Sequence, residues 1–258
     1  MFKRNGWIAL FLYGFLFSSL LFVIPACNTF FPPKILNLTI YPQNQGYLAM
    51  INVSEMKPVL LVQSTDLTGL PQFLADLKTE GNDPEILIMA TLNSKMMTEL
   101  ENSGISSTLK EFHYPEMDQK PGYLEKALDD FKKLKIKTGP LRQSRYVPLR
   151  HAELIVLAPH EYDTYDEGTR ITFKLIRGRK SFILAPVLSQ ALVKTLLRSF
   201  GTGGLRADYV IGTELENLNP DAIAKVFDKP EIILTSDLES KSPLRFQTEG
   251  NKISRLNL

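Results

Sequence analysis

The 258-residue chain carries 30 Lys and Arg against 28 Asp and Glu, a formal net charge of +2. That near balance argues against a dedicated nucleic-acid binder, which shows a strong basic excess or a basic stripe. Ordinary apolar (44%) and charged (22%) fractions argue against wholesale disorder, and one cysteine excludes an internal disulfide or a Cys-rich metal centre.

Lys3 and Arg4 precede an uncharged run from Trp7 to Ala26. At roughly 1.5 Å per residue this run, as a helix, is long enough to cross about 30 Å of hydrocarbon. The positive-inside rule then leaves Lys3 and Arg4 in the cytoplasm and puts the chain after residue 27 outside it. Two readings of the segment's end stand side by side. Val23-Ile24-Pro25-Ala26-Cys27 resembles a bacterial lipobox, with Pro25 departing from the pattern, which makes Cys27 a candidate lipidation site. Alternatively, Cys27 marks the end of an uncleaved transmembrane helix broken at Pro25. The domains are therefore 1–27 (signal peptide with lipobox, or transmembrane anchor), 28–34 (a linker stiffened by Pro32-Pro33) and 35–258 (one folded domain).

Alternating residues 35–41 and 47–53 read as strands around the turn Asn44-Gln45-Gly46. The wholly apolar run Pro58–Val62 reads as a strand buried on both faces, and Glu85–Ala90 reads as a second buried strand. Between them, Leu70, Phe73, Leu74 and Leu77 make one stripe of a helix over 68–80, and a second short helix spans 96–102. A third helix runs over 122–134 with Leu124, Ala127, Leu128 and Phe131 inward. A strand over 152–158 follows, then a hairpin joining 171–176 to 181–185 through Arg177-Gly178-Arg179-Lys180. Next come a helix over 188–200 closed by Gly201, Gly203 and Gly204, a strand over 208–212, a helix over 220–227 and a strand over 231–236. A closing hairpin turns at Glu249-Gly250. Two sheets flanked by helices accommodate this order.

From Ile35 onward the chain resembles a metallo-β-lactamase domain, most closely the soluble domain of ComEC-type DNA-uptake proteins. The likeness rests on layout and local phrasing. Residues 38–51 resemble the opening strand, turn and second strand, and Leu60-Leu61-Val62-Gln63 stands at the family's Leu-Ile-Asp-Gly strand end. Residues 178–185 resemble the hairpin before its Gly-Asp, 205–211 the strand before its last histidine, and 245–253 its final hairpin. The resemblance implies an α+β fold: a metallo-β-lactamase-like αββα sandwich of two facing mixed sheets with helices outside, preceded by one N-terminal hydrophobic helix.

The family's chemistry needs His-x-His-x-Asp-His on one loop, plus a later Asp and His, to hold two zinc ions that activate water. The matching loop here carries Thr91, Asn93, Lys95 and Met96, with no histidine, and Lys95 brings positive charge where a cation would bind. Pro186-Val187 falls at the Gly-Asp position and Thr213-Glu214-Leu215 at the last histidine. The resemblance therefore implies a pseudoenzyme with no catalytic residue, no metal ligand and no cofactor.

Other constellations are weaker. His151 and His160, beside Glu161, Asp163 and Asp166, offer an acid/base or metal site, set against strand-end histidines beside an acidic loop. Glu153, Glu161, Glu214 and Glu216 offer paired carboxylates at no fixed spacing, and Gly201–Gly204 ends a helix instead of opening one as a phosphate cradle does. Basic clusters that include Lys132, Lys133, Arg177, Arg179 and Lys180 are candidate polyanion contacts, set against a solvated helix face and a turn. The sequence thus reads as an extracytoplasmic, membrane-anchored, non-catalytic binding or scaffold protein of the bacterial envelope. Its expected partners are the membrane, an envelope protein and, less directly, DNA, with the oligomeric state open. The alternatives are a hydrolase that reuses the cleft without zinc, and a polyanion-binding module.

Overall fold

The structure, a computed structural model, describes residues 35–67, 69–159, 169–216, 218–238, 242–249 and 251–256. The hydrophobic N-terminal segment, Cys27 and the linker lie outside the described residues, as do His160, Glu161, Asp163 and Asp166. Among the described residues no helix is long and apolar enough to cross a membrane.

The first sheet begins with β1 (Ile35–Gln43), β2 (Gly46–Val53) and β3 (Val59–Val62), paired antiparallel. Helix α1 (Leu70–Thr79) then crosses over to β4 (Ile86–Met89), which lies parallel to β3. Helix α2 (Ser94–Asn102) leads to β5 (Glu111–Pro115), and α3 (Gly122–Lys133) leads to β6 (Lys137–Leu141). The second sheet is built from β7 (Tyr146–Leu149), β8 (Ala152–Ala158), β9 (Thr172–Arg177) and β10 (Lys180–Leu184). After the short β11 (Leu188–Ser189) and α4 (Gln190–Leu205), it gains β12 (Tyr209–Gly212). The short β13 (Leu215–Glu216) and α5 (Pro220–Val226) then precede β14 (Glu231–Leu234). The hairpin of β15 (Leu244–Glu249) and β16 (Lys252–Leu256) returns to the first sheet, β15 pairing with β1. The sheet orders are β16-β15-β1-β2-β3-β4-β5-β6 and β14-β12-β10-β9-β8-β7.

Side-chain alternation distributes these strands among three apolar layers. Leu36, Leu38 and Ile40 of β1 and Val59 and Leu61 of β3 meet Phe173, Leu175, Phe182 and Leu184 between the sheets. Their neighbours Leu60 and Val62 face outward onto Leu70 and Leu74 of α1, Met96 of α2 and Leu124 of α3. Ile183 and Val210 face the opposite way, onto Val193 and Leu196 of α4 and Ile223 of α5. Both β3 and β4 are thus buried on each face, as their unbroken apolar runs imply. Helices outside, two mixed sheets inside: the molecule is an αββα sandwich.

Several strands and two helices differ from the sequence reading. β5, β6 and β7 carry Pro115, Pro140 and Pro148, which mask their pattern. Proline is tolerated because β6 and β7 are edge strands, where an amide donor is dispensable. The helix expected over 188–200 begins only at Gln190, where the Ser189 hydroxyl accepts from the Leu192 amide. Gly201 (φ 59°, ψ −177°) is non-helical and breaks it, as expected, and a second short helical turn beyond it carries Leu205 back into the core. α2 starts at Ser94, two residues early, because Asn93 caps it by accepting from the Met96 amide at 2.9 Å.

Candidate functional site

Parallel strands end together, and the loops after β3, β4, β10 and β12 leave the sheets at one end of the sandwich. In open α/β sheets ligands sit at such carboxyl ends. A cavity of about 250 Å³ opens there. The β1–β2 turn contributes Asn44 and Gln45, and the end of β3 contributes Gln63 and Thr65. Thr91 enters after β4, Arg170 before β9, Pro186 and Val187 after β10, and Thr213 and Glu214 after β12.

The floor of this cavity is tied across the two sheets. Gln63, 2% exposed, donates through Nε2 to the carbonyl oxygens of Ile171 (3.3 Å) and Leu184 (3.2 Å). The Ile171 amide in turn donates to the Ala90 carbonyl at 2.7 Å. Tyr47, fully buried, donates its hydroxyl to the Ala185 carbonyl at 3.3 Å, with the Ile211 carbonyl at 3.5 Å as the alternative acceptor. The loops are also laced to one another, Thr213 N to Pro186 O (3.2 Å) and Ser236 N to Thr213 O (3.0 Å). A site built on such ties is held rigidly.

One acceptor in this floor has no partner. With Nε2 committed to two carbonyls, the amide orientation of Gln63 is set, because a flip would point oxygen at oxygen. Its Oε1 is buried and makes no hydrogen bond. A buried acceptor left unmade costs about 1–3 kcal/mol.

Burial pushes the Tyr47 phenol well above its ordinary value of 10.0. With the folded value raised, the neutral phenol's stability is fully present below pH 10.0 and is lost as pH climbs toward the folded value. Tyr47→Phe should therefore flatten the fall of folding stability above pH 10.0, measured by urea titration at stepped alkaline pH. An unchanged slope would show that Tyr47 is not sealed between the sheets.

The structure gathers three of the positions that the resemblance singled out: Thr91, Pro186-Val187 and Thr213-Glu214 all line the cavity. The rest of the Thr91 loop does not. Met96 is buried under the first sheet, and Asn93 is spent as a helix cap. Lys95 stands in the first turn of α2, 67% exposed, 3.6 Å from Glu99 and 3.9 Å from Asp66. Gln63 and Arg170, which the sequence reading left out of its candidate site, complete the lining.

The other candidates are dispersed. Lys132 and Lys133 lie on α3, with Lys133 paired to Asp130 at 2.7 Å. Arg177, Arg179 and Lys180 surround the β9–β10 turn of the other sheet. There Arg177 donates to the His151 carbonyl, and Lys180 is bound to Asp208 at 2.6 Å. Glu153 and Glu216 are exposed and stand apart from the cavity lining.

A dinuclear zinc centre needs nitrogen, thiolate or carboxylate donors converging on each ion. The described residues of this cavity offer one carboxylate, Glu214, among amides, hydroxyls and the Arg170 guanidinium. Among the described residues no group of three or more His, Cys, Asp or Glu converges. That donor set does not fit two zinc ions.

Fold and site together define an αββα sandwich whose loop-end cavity mixes polar and apolar walls and, among the described residues, is lined without a zinc donor set. No family model and no curated protein matches the chain. Among solved structures it is similar to the metallo-β-lactamase fold protein YhfI from Bacillus subtilis, at 10% identity and a TM-score of 0.46, covering 83% of this chain and 100% of that one. It is also similar to a diphosphatase of the PhnP family, at 12% identity and a TM-score of 0.47, covering 83% and 98%. A third similar structure is CmlA, a diiron β-hydroxylase from Streptomyces venezuelae, at 14% identity and a TM-score of 0.43. That match covers 70% of this chain and 34% of the β-hydroxylase, so the chain spans about a third of that protein.

Proposed function

We propose that this chain is a non-hydrolytic binding or scaffold protein of metallo-β-lactamase-like architecture, held at the outer side of a bacterial membrane by its N-terminal segment. The observation that carries the reading is the cavity lining. Where the resembled hydrolases gather zinc ligands, Thr91, Pro186, Val187, Thr213 and Glu214 stand together with Gln63 and Arg170. Tethering is supported by Lys3 and Arg4 ahead of the uncharged run from Trp7 to Ala26. A link to DNA uptake follows from the ComEC-type resemblance, in which an anchor directly precedes such a domain.

Full-length protein, purified in mild detergent after expression with added zinc, should hold far less than one zinc per chain by elemental analysis. It should also turn over no phosphodiester or ester substrate. A stoichiometric, chelator-sensitive dinuclear centre would sink the proposal, as would turnover that Glu214→Gln abolishes. Labelling with a radioactive fatty acid, in wild type and Cys27→Ala, separates a lipoprotein from an uncleaved helix.

A further inference from the structure

The outer face of the first sheet changes character from one side to the other. Over β2 and β3, Leu48, Met50, Leu60 and Val62 share an apolar layer with α1. Beside them Leu36, Leu38, Ile40 and Phe246 point between the sheets. Strand alternation therefore turns Asn37, Thr39 and Tyr41 of β1 and Arg245 of β15 to the outer face, where a groove of about 370 Å³ runs. Its floor is Thr39, a short side chain 8% exposed. Met50 and Arg245 stand directly across from it on the two flanking strands, and Asn37 and Tyr41 two residues away on its own. Opposed residues on one face lie about 4.5–5.5 Å apart at Cβ, so these longer side chains wall a pit over the threonine.

The polar groups of this pit are unspent. Among the described residues the Asn37 carboxamide, the Tyr41 hydroxyl and the Arg245 guanidinium form no hydrogen bond or ion pair. Glu80, just past the end of α1, brings a carboxylate to the rim. Tyr41 feels both charges: burial pushes its phenol up, Glu80 raises it further and Arg245 lowers it. Its ring is held edge-on against Phe73, centroids 4.8 Å apart. Leu256, across from Arg245 on β16 and 44% exposed, adds an apolar wall.

We propose that this groove binds a neutral glycan chain. Sugar hydroxyls both donate and accept, which suits a donor-only guanidinium, an acceptor-only carboxylate, and a carboxamide and phenol that do both. The apolar C–H faces of pyranose rings match Tyr41, Met50 and Leu256. Arg245 and Glu80 cancel, so an anionic or a cationic chain would meet a like charge on one wall. A peptide adding a strand is ruled out by the ladder, because β1 is paired on both sides and offers no free edge. The volume falls within the roughly 300–1,000 Å³ of ligand pockets. This site is separate from the loop-end cavity, so the inference goes beyond the non-hydrolytic reading and does not depend on it.

The test is ligand-observed NMR titration of the full-length protein in lauryldimethylamine oxide, a detergent without sugar. The probes are the neutral trisaccharides cellotriose, maltotriose and tri-N-acetylchitotriose. The trimers of galacturonic acid and of glucosamine are the anionic and cationic controls. At least one neutral trisaccharide should bind tenfold or more tightly than both charged trimers. Asn37→Ala and Arg245→Gln, both at surface positions of the sheet, should each weaken that binding about tenfold while leaving the circular dichroism spectrum unchanged. Arg170→Gln, in the loop-end cavity, should leave it unaltered.

Three results overturn the proposal: no neutral trisaccharide binds; a charged trimer binds as tightly as the best neutral one; or binding survives both Asn37→Ala and Arg245→Gln, which would place the sugar elsewhere. None of them touches the non-hydrolytic reading, which stands or falls on zinc content and turnover.

Discussion

Gly46→Ala should destabilise the fold by about 4 kcal/mol or more, a loss of the size reserved for strained backbone combined with overpacking. Gly46 opens β2 at φ +130°, a backbone conformation that side-chain-bearing residues rarely adopt. An added Cβ would lie 2.2 Å from the Gln63 carbonyl oxygen and 2.7 Å from Ser64 Cα. Neither neighbour can yield. The Gln63 amide is bonded to the Tyr47 carbonyl at 3.0 Å, and the Thr65 amide to the Gln45 carbonyl at 3.1 Å. The close approach also seats Gln63 at the cavity floor, so the substitution should deform the cavity along with the fold.

Gly81→Ala is the control, since Gly81 has φ +71° but nothing within 4 Å of the new methyl. It carries the conformational cost alone, about 1–3 kcal/mol. Urea unfolding of full-length protein, followed by circular dichroism, reads the difference. Equal losses at the two glycines would refute the tight β2–Gln63 contact.

The layering of the sandwich is largely written in its apolar runs. Val59–Val62 and Ile86–Met89 lack alternation because each strand packs sheet on one side and helices on the other. The stripes of α1 and α3 likewise reappear as Leu70, Leu74 and Leu77, and as Leu124, Ala127 and Phe131. β5, β6 and β7 were illegible because prolines broke their pattern, and only their place near or at a sheet edge makes those prolines acceptable.

The site was legible by halves. Thr91, Pro186, Val187, Thr213 and Glu214 follow from matching loops to a resembled layout, and they do converge. Gln63 does not follow, because its role depends on bonds to residues 108 and 121 positions away. Its traces in the sequence are a polar residue closing the apolar run Val59–Val62 and the match of Leu60–Gln63 to the resembled family's strand end. Arg170 leaves no trace, since an arginine just before a strand is ordinary. Lys95 misled for a local reason. Reading its segment as a loop placed its charge in the cleft, whereas the Asn93 cap starts α2 early and turns Lys95 toward Asp66 and Glu99.

The second large effect concerns what holds the two sheets together. Phe182→Ala should cost about 3–5 kcal/mol, the range for emptying a buried aromatic site. Phe182, on β10 of the second sheet, is fully buried. Its ring centroid lies 5.5 Å from that of Tyr209 on β12 and 5.6 Å, edge-on, from that of Phe246 on β15 of the first sheet. Tyr209 and Phe246 close the triangle at 5.0 Å. The final hairpin thus contributes an aromatic anchor across the interlayer, as well as backbone pairing to β1.

A double-mutant cycle isolates that bridge. Phe182→Leu and Phe246→Leu keep the site apolar, and the edge-on pair should show a coupling of about 0.5–1.5 kcal/mol. If the two losses simply add, the rings do not touch across the sheets, and β15 is fastened by its ladder alone. If they couple, truncating the chain before Leu244 should loosen both sheets at once. Urea unfolding would then show the first sheet's helices and the second sheet's helices losing structure in one transition, not two.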